Sequence, residues 1–315
     1  MDRISLGHRA RVHPADPRGR RLEEAAIGPA VVLTFAATLV YGTALVMMQR
    51  AFRFAPPWRG AAISVPSATL LFIALTPFNV DFARANWRAA LLFAAVGLLF
   101  PASVTLLSME SNRRMGPNVA GAIGNTSPLF AVLAAVLVLG ETVGIVQAAG
   151  IAAIVGGIML LSRNRARGAG TWPLWMLVLP FGAAAVRGIA PPIVKIGLAW
   201  WPNPLAATTI SYIVSSVVLI SAARIRAGGP FPPMERRGAI WFAVLGIFNG
   251  VSLLLVYAAL MYAPVTFVSP LFAAYPLVTL ALARFLLRDE PFDLSVAAGV
   301  AATVVGVVLL VAGHG

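Results

Sequence analysis

The sequence predicts an all-α integral membrane protein, with ten transmembrane helices arranged as two inverted five-helix repeats around a central cavity. Three observations carry that expectation. Hydrophobic residues make up 59% of the chain and charged residues only 11%, with a mean hydropathy of +0.86, which excludes a soluble globular domain with a charged surface. The chain also divides into ten apolar stretches of about the 20 residues a helix needs to cross a bilayer. Finally, it repeats itself. Glu141 is followed by Gly150 and Gly157, and Glu290 by Gly299 and Gly306 at the same spacings. Gly116 precedes Pro128 by the interval that separates Pro264 from Pro276, and PWRGAAIS (Pro57 to Ser64) parallels PLAATTIS (Pro204 to Ser211). A period of about 148 residues is too long for a solenoid and suits a membrane bundle made of two halves.

The expected spans cover residues 28–49, 60–78, 88–109, 117–139 and 143–162 in the first half. In the second half they cover 172–198, 204–224, 238–261, 264–287 and 292–312. Five spans per half is an odd number, so the two halves enter the membrane from opposite sides and the repeat is inverted. The runs are too long and too continuous for barrel strands, and an open sheet edge has no place in lipid. The units are therefore a polar tail at 1–26, expected to be disordered, a first repeat at 27–163 and a second at 171–313. Prolines inside the spans, Pro66, Pro101, Pro128, Pro191, Pro192, Pro270 and Pro276 among them, free backbone groups that only neighbours or a cavity can satisfy. Pro128 and Pro276, equivalent positions in the fourth and ninth spans, are candidate hinges.

Basic residues exceed acidic ones, 24 against 11, but they cluster at segment ends, where membrane proteins carry their topology signals. No nucleic-acid partner is expected; the lipid bilayer is the partner. The loops after the first, third, fifth, seventh and ninth spans hold fourteen arginines, among them Arg50, Arg114, Arg163, Arg226 and Arg237. The opposite loops hold Arg84, Arg88 and Lys195, joined by six arginines of the N-terminal tail. This count places the arginine-rich loops in the cytoplasm and both termini outside it. The chain has no cysteine, and its histidines are His8, His13 and His314, so no metal, cofactor or catalytic constellation is expected within the spans. It also lacks the glycine-rich phosphate loop of an ATP-driven pump.

An ionisable group within a span is costly and therefore a candidate for function. Arg187 and Lys195 lie in the sixth span, eight residues apart, roughly 80° apart around a helix. A guanidinium there offers a planar fork to a carboxylate or phosphate, and Lys195 a point charge; Lys195 alternatively snorkels to the interface beside Trp200 and Trp201. Glu110 is expected to pair with Arg113 or Arg114. Glu141 and Glu290 are expected to cap the helices that follow them, since a carboxylate accepts well from first-turn amides. Tyr41, Asn125, Thr126, Asn249, Ser252 and Tyr275 complete the candidate cavity lining, with interhelical hydrogen bonding as their plainer role.

Taken in order, these motifs resemble the drug/metabolite transporter superfamily, in particular its EamA-type members. The resemblance covers residues 28–312. It is carried by the Glu-x8-Gly spacing, by the small-residue-rich spans that lead to Pro128 and Pro276, by Tyr41-Gly42-Thr43 where the family often has Trp-Gly, and by Lys195 ahead of Pro204. The chain departs from the pattern at Ser64-Val65-Pro66, where an arginine is common, and at Gln49-Arg50, where a lysine is expected. The resemblance implies a secondary-active transporter of a small-molecule substrate, an exporter of amino acids or related zwitterions and organic anions by alternating access. A proton is the candidate coupling ion. A multidrug exporter of quaternary cations and a lipid-carrier flippase are the alternatives; the first is disfavoured because no carboxylate lies in the first, fourth or ninth span.

Overall fold

A computed structural model describes residues 17–115, 120, 123–163, 173–228, 234–287 and 294–313. The helices are α1 (Pro17–Ala51), α2 (Pro57–Asn79), α3 (Trp87–Gly97), α4 (Val104–Met115), α5 (Ser127–Ala134) and α6 (Ile145–Arg163). They continue with α7 (Val178–Trp200), α8 (Pro204–Ala227), α9 (Arg236–Ala259), α10 (Val265–Phe272), α11 (Tyr275–Leu287) and α12 (Leu294–Ala312). Seven spans among these are long and apolar enough to cross a membrane: 27–48, 57–79, 87–111, 175–200, 204–227, 236–259 and 265–282. Three shorter apolar helices, at 127–139, 145–160 and 297–312, fall on the expected fourth, fifth and tenth spans. α1 begins at Pro17, a residue suited to a first helical position.

Proline and glycine set the irregularities. Phe100, with φ −139° and ψ 129°, leaves helical geometry because Pro101 follows it, and the third span bends there into α4. Turns at Asn125-Thr126 and Ala273-Ala274 interrupt the fourth and ninth spans at equivalent points. Pro128 and Pro276 each occupy the second position of the helix that resumes. Gly140 ends the fourth span in the left-handed region, φ 67°, a conformation that costs glycine nothing.

The packing exchanges the halves. α1 packs on α9 and α7 on α3; α2 packs on α9 and α8 on α3; α5 packs on α7 and α1 on α11. Each of these pairs is the repeat equivalent of the other. The remaining large contacts, α2 with α8 and α6 with α12, join equivalent helices to each other. Details obey the same exchange. A Cβ added to Gly97 would lie 2.4 Å from the Ser211 carbonyl, and one added to Gly246 would lie 1.8 Å from the Ser64 carbonyl. Phe52 meets Phe242 at 6.3 Å between ring centres while Trp201 meets Phe93 at 6.4 Å. Thr69 and Ser216, themselves equivalent, share a hydrogen bond of 2.8 Å. With Thr76 and Thr209 3.3 Å apart, that bond fixes α2 and α8 as antiparallel neighbours.

The glycine spacing seen in the sequence becomes a helix interface. Gly150 faces Gly306 and Gly157 faces Gly299, each close enough that an added Cβ would stand 2.7 or 2.8 Å from the opposing carbonyl. Small residues let helix backbones touch where lipid gives no hydrophobic drive to association.

Candidate functional site

Arg187 lies in the middle of α7, next to Gly188, whose missing Cβ lets the start of α5 approach: an added Cβ would lie 2.6 Å from the Ser127 carbonyl and from Phe130 Cβ. The Arg187 Nε is buried and has no hydrogen-bond partner among the described residues. Pro191 and Pro192 stand four residues beyond Arg187 and Gly188 and lack the N–H that would close onto those two carbonyls. One short stretch therefore presents a guanidinium and backbone acceptors together. Nε bonds to neither of these carbonyls.

Across from it are the aromatic candidates. Tyr41 packs edge-on against Tyr275, ring centres 4.8 Å apart, with Phe272 5.4 Å from Tyr41. The Tyr275 hydroxyl donates to Asn125 Oδ1 at 2.8 Å. Asn125, Tyr275 and Tyr41 thus form one cluster where the broken fourth and ninth spans meet α1, and the contact of Gly188 with Ser127, two residues from Asn125, brings Arg187 of α7 beside it. Asn249 belongs to the same level: α1 and α9 run antiparallel, with Ser252 bonded to the Ala37 carbonyl and Phe52 against Phe242, which sets Asn249 at about the height of Tyr41 along the bundle. Its Oδ1 is buried without a partner among the described residues.

Ser252 and Thr126 fill structural roles. Ser252 donates to the Ala37 carbonyl at 2.8 Å, and Thr126 to the Ile123 carbonyl of its own turn at 2.7 Å. Glu110 pairs with Arg114, as expected. Glu290 lies outside the described residues.

Glu141 and Lys195 depart from expectation. Glu141 caps not α6 but the N-terminus of α10 in the other half: Oε1 accepts from the Val265 amide and Oε2 from the Thr266 amide, both at 2.9 Å. The expected cap of α6 is supplied instead by Gln147, whose Oε1 takes the Gly144 amide at 2.9 Å. Lys195, rather than reaching the interface beside Trp200 and Trp201, turns inward; its Nζ lies 3.1 Å from Glu141 Oε1 and 2.9 Å from the Ala263 carbonyl. Burial alone pushes the Glu141 carboxyl up, but the Thr266 amide, the Lys195 charge and the Val265 amide outweigh it and hold its pKa below the ordinary 4.5. Lys195 therefore stands apart from the Arg187 cluster as part of a clasp between halves.

A cavity of about 260 Å³ opens elsewhere, between α2, α4 and α8, lined by Trp58, Leu106, Met109, Leu219, Ala223 and Arg226 among others. The Arg226 guanidinium stacks on the Trp58 ring at 5.9 Å. None of the residues singled out as binding candidates lines it.

A helical bundle built twice over, with its helix packing exchanged between halves and a cation held in its apolar interior, defines a membrane transporter of the two-repeat type. The chain belongs to the EamA-like transporter family, whose pattern matches residues 28–163 and again residues 174–312. No curated protein matches it. Among solved structures, one described only as "Crystal structure of protein" is 19% identical, with a TM-score of 0.72 over 89% of this chain and 95% of its own, a likeness of fold.

Proposed function

We propose that the chain is a secondary-active exporter of small zwitterionic or anionic metabolites, amino acids or related compounds, that works by alternating access between two inverted halves of five spans each. The observation that carries the substrate class is the buried Nε of Arg187, without a partner among the described residues, beside the carbonyls freed by Pro191 and Pro192. A guanidinium binds a carboxylate through a planar fork, and backbone carbonyls accept from an ammonium. The Tyr41, Phe272 and Tyr275 rings add an apolar wall. The inverted arrangement is supported by the antiparallel contacts of equivalent helices, α2 with α8 and α6 with α12.

The protein sits in the cell (inner) membrane with its arginine-rich loops in the cytoplasm and both termini outside, the orientation that the loop arginines favour. A proton is the coupling ion proposed, and among the described residues named for the Arg187 cluster none is a carboxylate.

The test is uptake into oriented proteoliposomes of a panel of amino acids, organic acids and quaternary amines, with and without a proton gradient. Wild-type protein should transport zwitterions or anions, and Arg187→Ala should reduce that flux about 10- to 100-fold, the worth of one hydrogen bond to a charged group. Transport confined to quaternary amines and indifferent to Arg187 would overturn the reading.

A further inference from the structure

We propose that Lys195, Glu141 and the first turn of α10 form the gate that closes one end of the transport path, and that the conformation seen here is closed at that end. The proposal rests on the transporter reading above and adds to it the residues that govern access.

Position comes first. Glu141 follows the fourth span, Lys195 lies near the C-terminal end of α7, and Ala263 and Val265 flank the entry to α10. All four stand at the end of the bundle opposite the arginine-rich loops. Their contacts cross the halves: the carboxylate comes from the first repeat, and the ammonium and both amides from the second. A carboxylate that accepts two amides and a lysine at once is satisfied only while α7, α10 and the turn after α5 stay together. Any motion that parts the halves at this end leaves charges unpaired in a poorly solvated place.

The second observation is an asymmetry between equivalent positions. At the clasp end, α2 and α8 are closed by Phe72 edge-on to Tyr212, ring centres 5.3 Å apart, by the Thr76 to Thr209 pair, and by Asn203, which donates to the Asn79 carbonyl at 3.0 Å. The repeat offset that relates Ser64 to Ser211 relates Phe72 to Leu219 and Tyr212 to Val65. At the arginine-rich end that second pair brings no aromatic contact, and the 260 Å³ cavity lined by Leu219 and Arg226 opens there instead. Equivalent positions on α2 and α8 are thus held by an aromatic contact at the clasp end and not at the other, an asymmetry expected of one member of a pair of alternating states.

The chain has no cysteine, so Ser127→Cys supplies a single reporter thiol beside Gly188, between the halves. Its labelling by a membrane-impermeant maleimide is measured from each face of oriented proteoliposomes. The expected result is slow labelling from the clasp face in the otherwise wild-type protein, a rise of about tenfold in Lys195→Met and in Glu141→Gln, which corresponds to a modest shift between two states, and the parent rate in Lys195→Arg. Should Lys195→Met fail to give monodisperse protein, Lys195→Gln replaces it with the same criterion. Unchanged clasp-face labelling in the neutral variants, with the parent reached from both faces, overturns the gate and leaves the transporter reading intact. A parent thiol reached from one face only, with or without the clasp, overturns both.

Discussion

Ser252 and Asn249 sit one turn apart on α9, and their polar atoms meet opposite fates. Ser252 has its hydrogen bond, to the Ala37 carbonyl; Asn249 Oδ1 has none among the described residues. In lipid an interhelical bond of the first kind contributes about 0.6 kcal/mol, whereas an acceptor buried without a partner costs about 1 to 3 kcal/mol. Substitution should therefore separate stability from function. Ser252→Ala should lower the thermal midpoint slightly and leave transport near the wild-type rate, while Asn249→Leu should hold or raise the midpoint and reduce transport severalfold. Melting curves in detergent and uptake in proteoliposomes check the pair together; a destabilised Asn249→Leu would show the amide to be structural. The sequence marked both residues as polar groups in apolar spans, but which of them was already bonded depends on a partner some two hundred residues away.

At the scale of helices, glycines at equivalent positions of the two halves set close backbone approaches. Gly246 lets α9 lie directly on the Ser64 carbonyl of α2, and Gly97 does the same for α3 against Ser211. A methyl group at Gly246 would sit 1.8 Å from that oxygen, and since the obstacle is backbone, the helices themselves would have to part. Gly246→Ala should lower the thermal midpoint by several degrees or abolish monodisperse expression, as overpacking a tight contact costs about 1 to 3 kcal/mol. Gly182→Ala is the control, because nothing stands within 4 Å of its added Cβ, and helix propensity alone favours alanine there. Equal behaviour of the two variants would contradict the packing. The glycines of the α6–α12 interface stood out in the sequence through the Glu-x8-Gly-x6-Gly spacing, but that spacing marked a repeat and not their pairing, which only the fold brings about. Glu141 was misread for the same reason: local spacing named the helix after it, while the fold brought it the amides of another half.

Across the whole molecule the clasp joins three elements through groups that titrate, and its contribution to stability should depend on pH in a definite direction. Glu141 lies in the turn after the fourth span, and its pKa is held below the ordinary 4.5 by the Thr266 amide, Lys195 and the Val265 amide in spite of burial. A carboxyl whose pKa is lower in the folded protein than in the unfolded chain stabilises the fold fully above the unfolded value, and that stabilisation fades as pH falls through the folded value. Wild-type protein should thus melt above Glu141→Gln at neutral pH, and the gap should stay constant down to about pH 5. Below about pH 4.5 the wild-type curve should drop toward that of the variant, because the protonated carboxyl can no longer hold Lys195 as an ion pair or accept equally well from both amides. The Glu141→Gln curve should lack this component, although other carboxylates move both proteins together. Thermal midpoints of the two proteins across pH 3 to 8 measure the difference directly. A gap that widened toward low pH would mean that the carboxyl titrates in the opposite sense, with burial outweighing its partners, and would remove the electrostatic basis of the clasp.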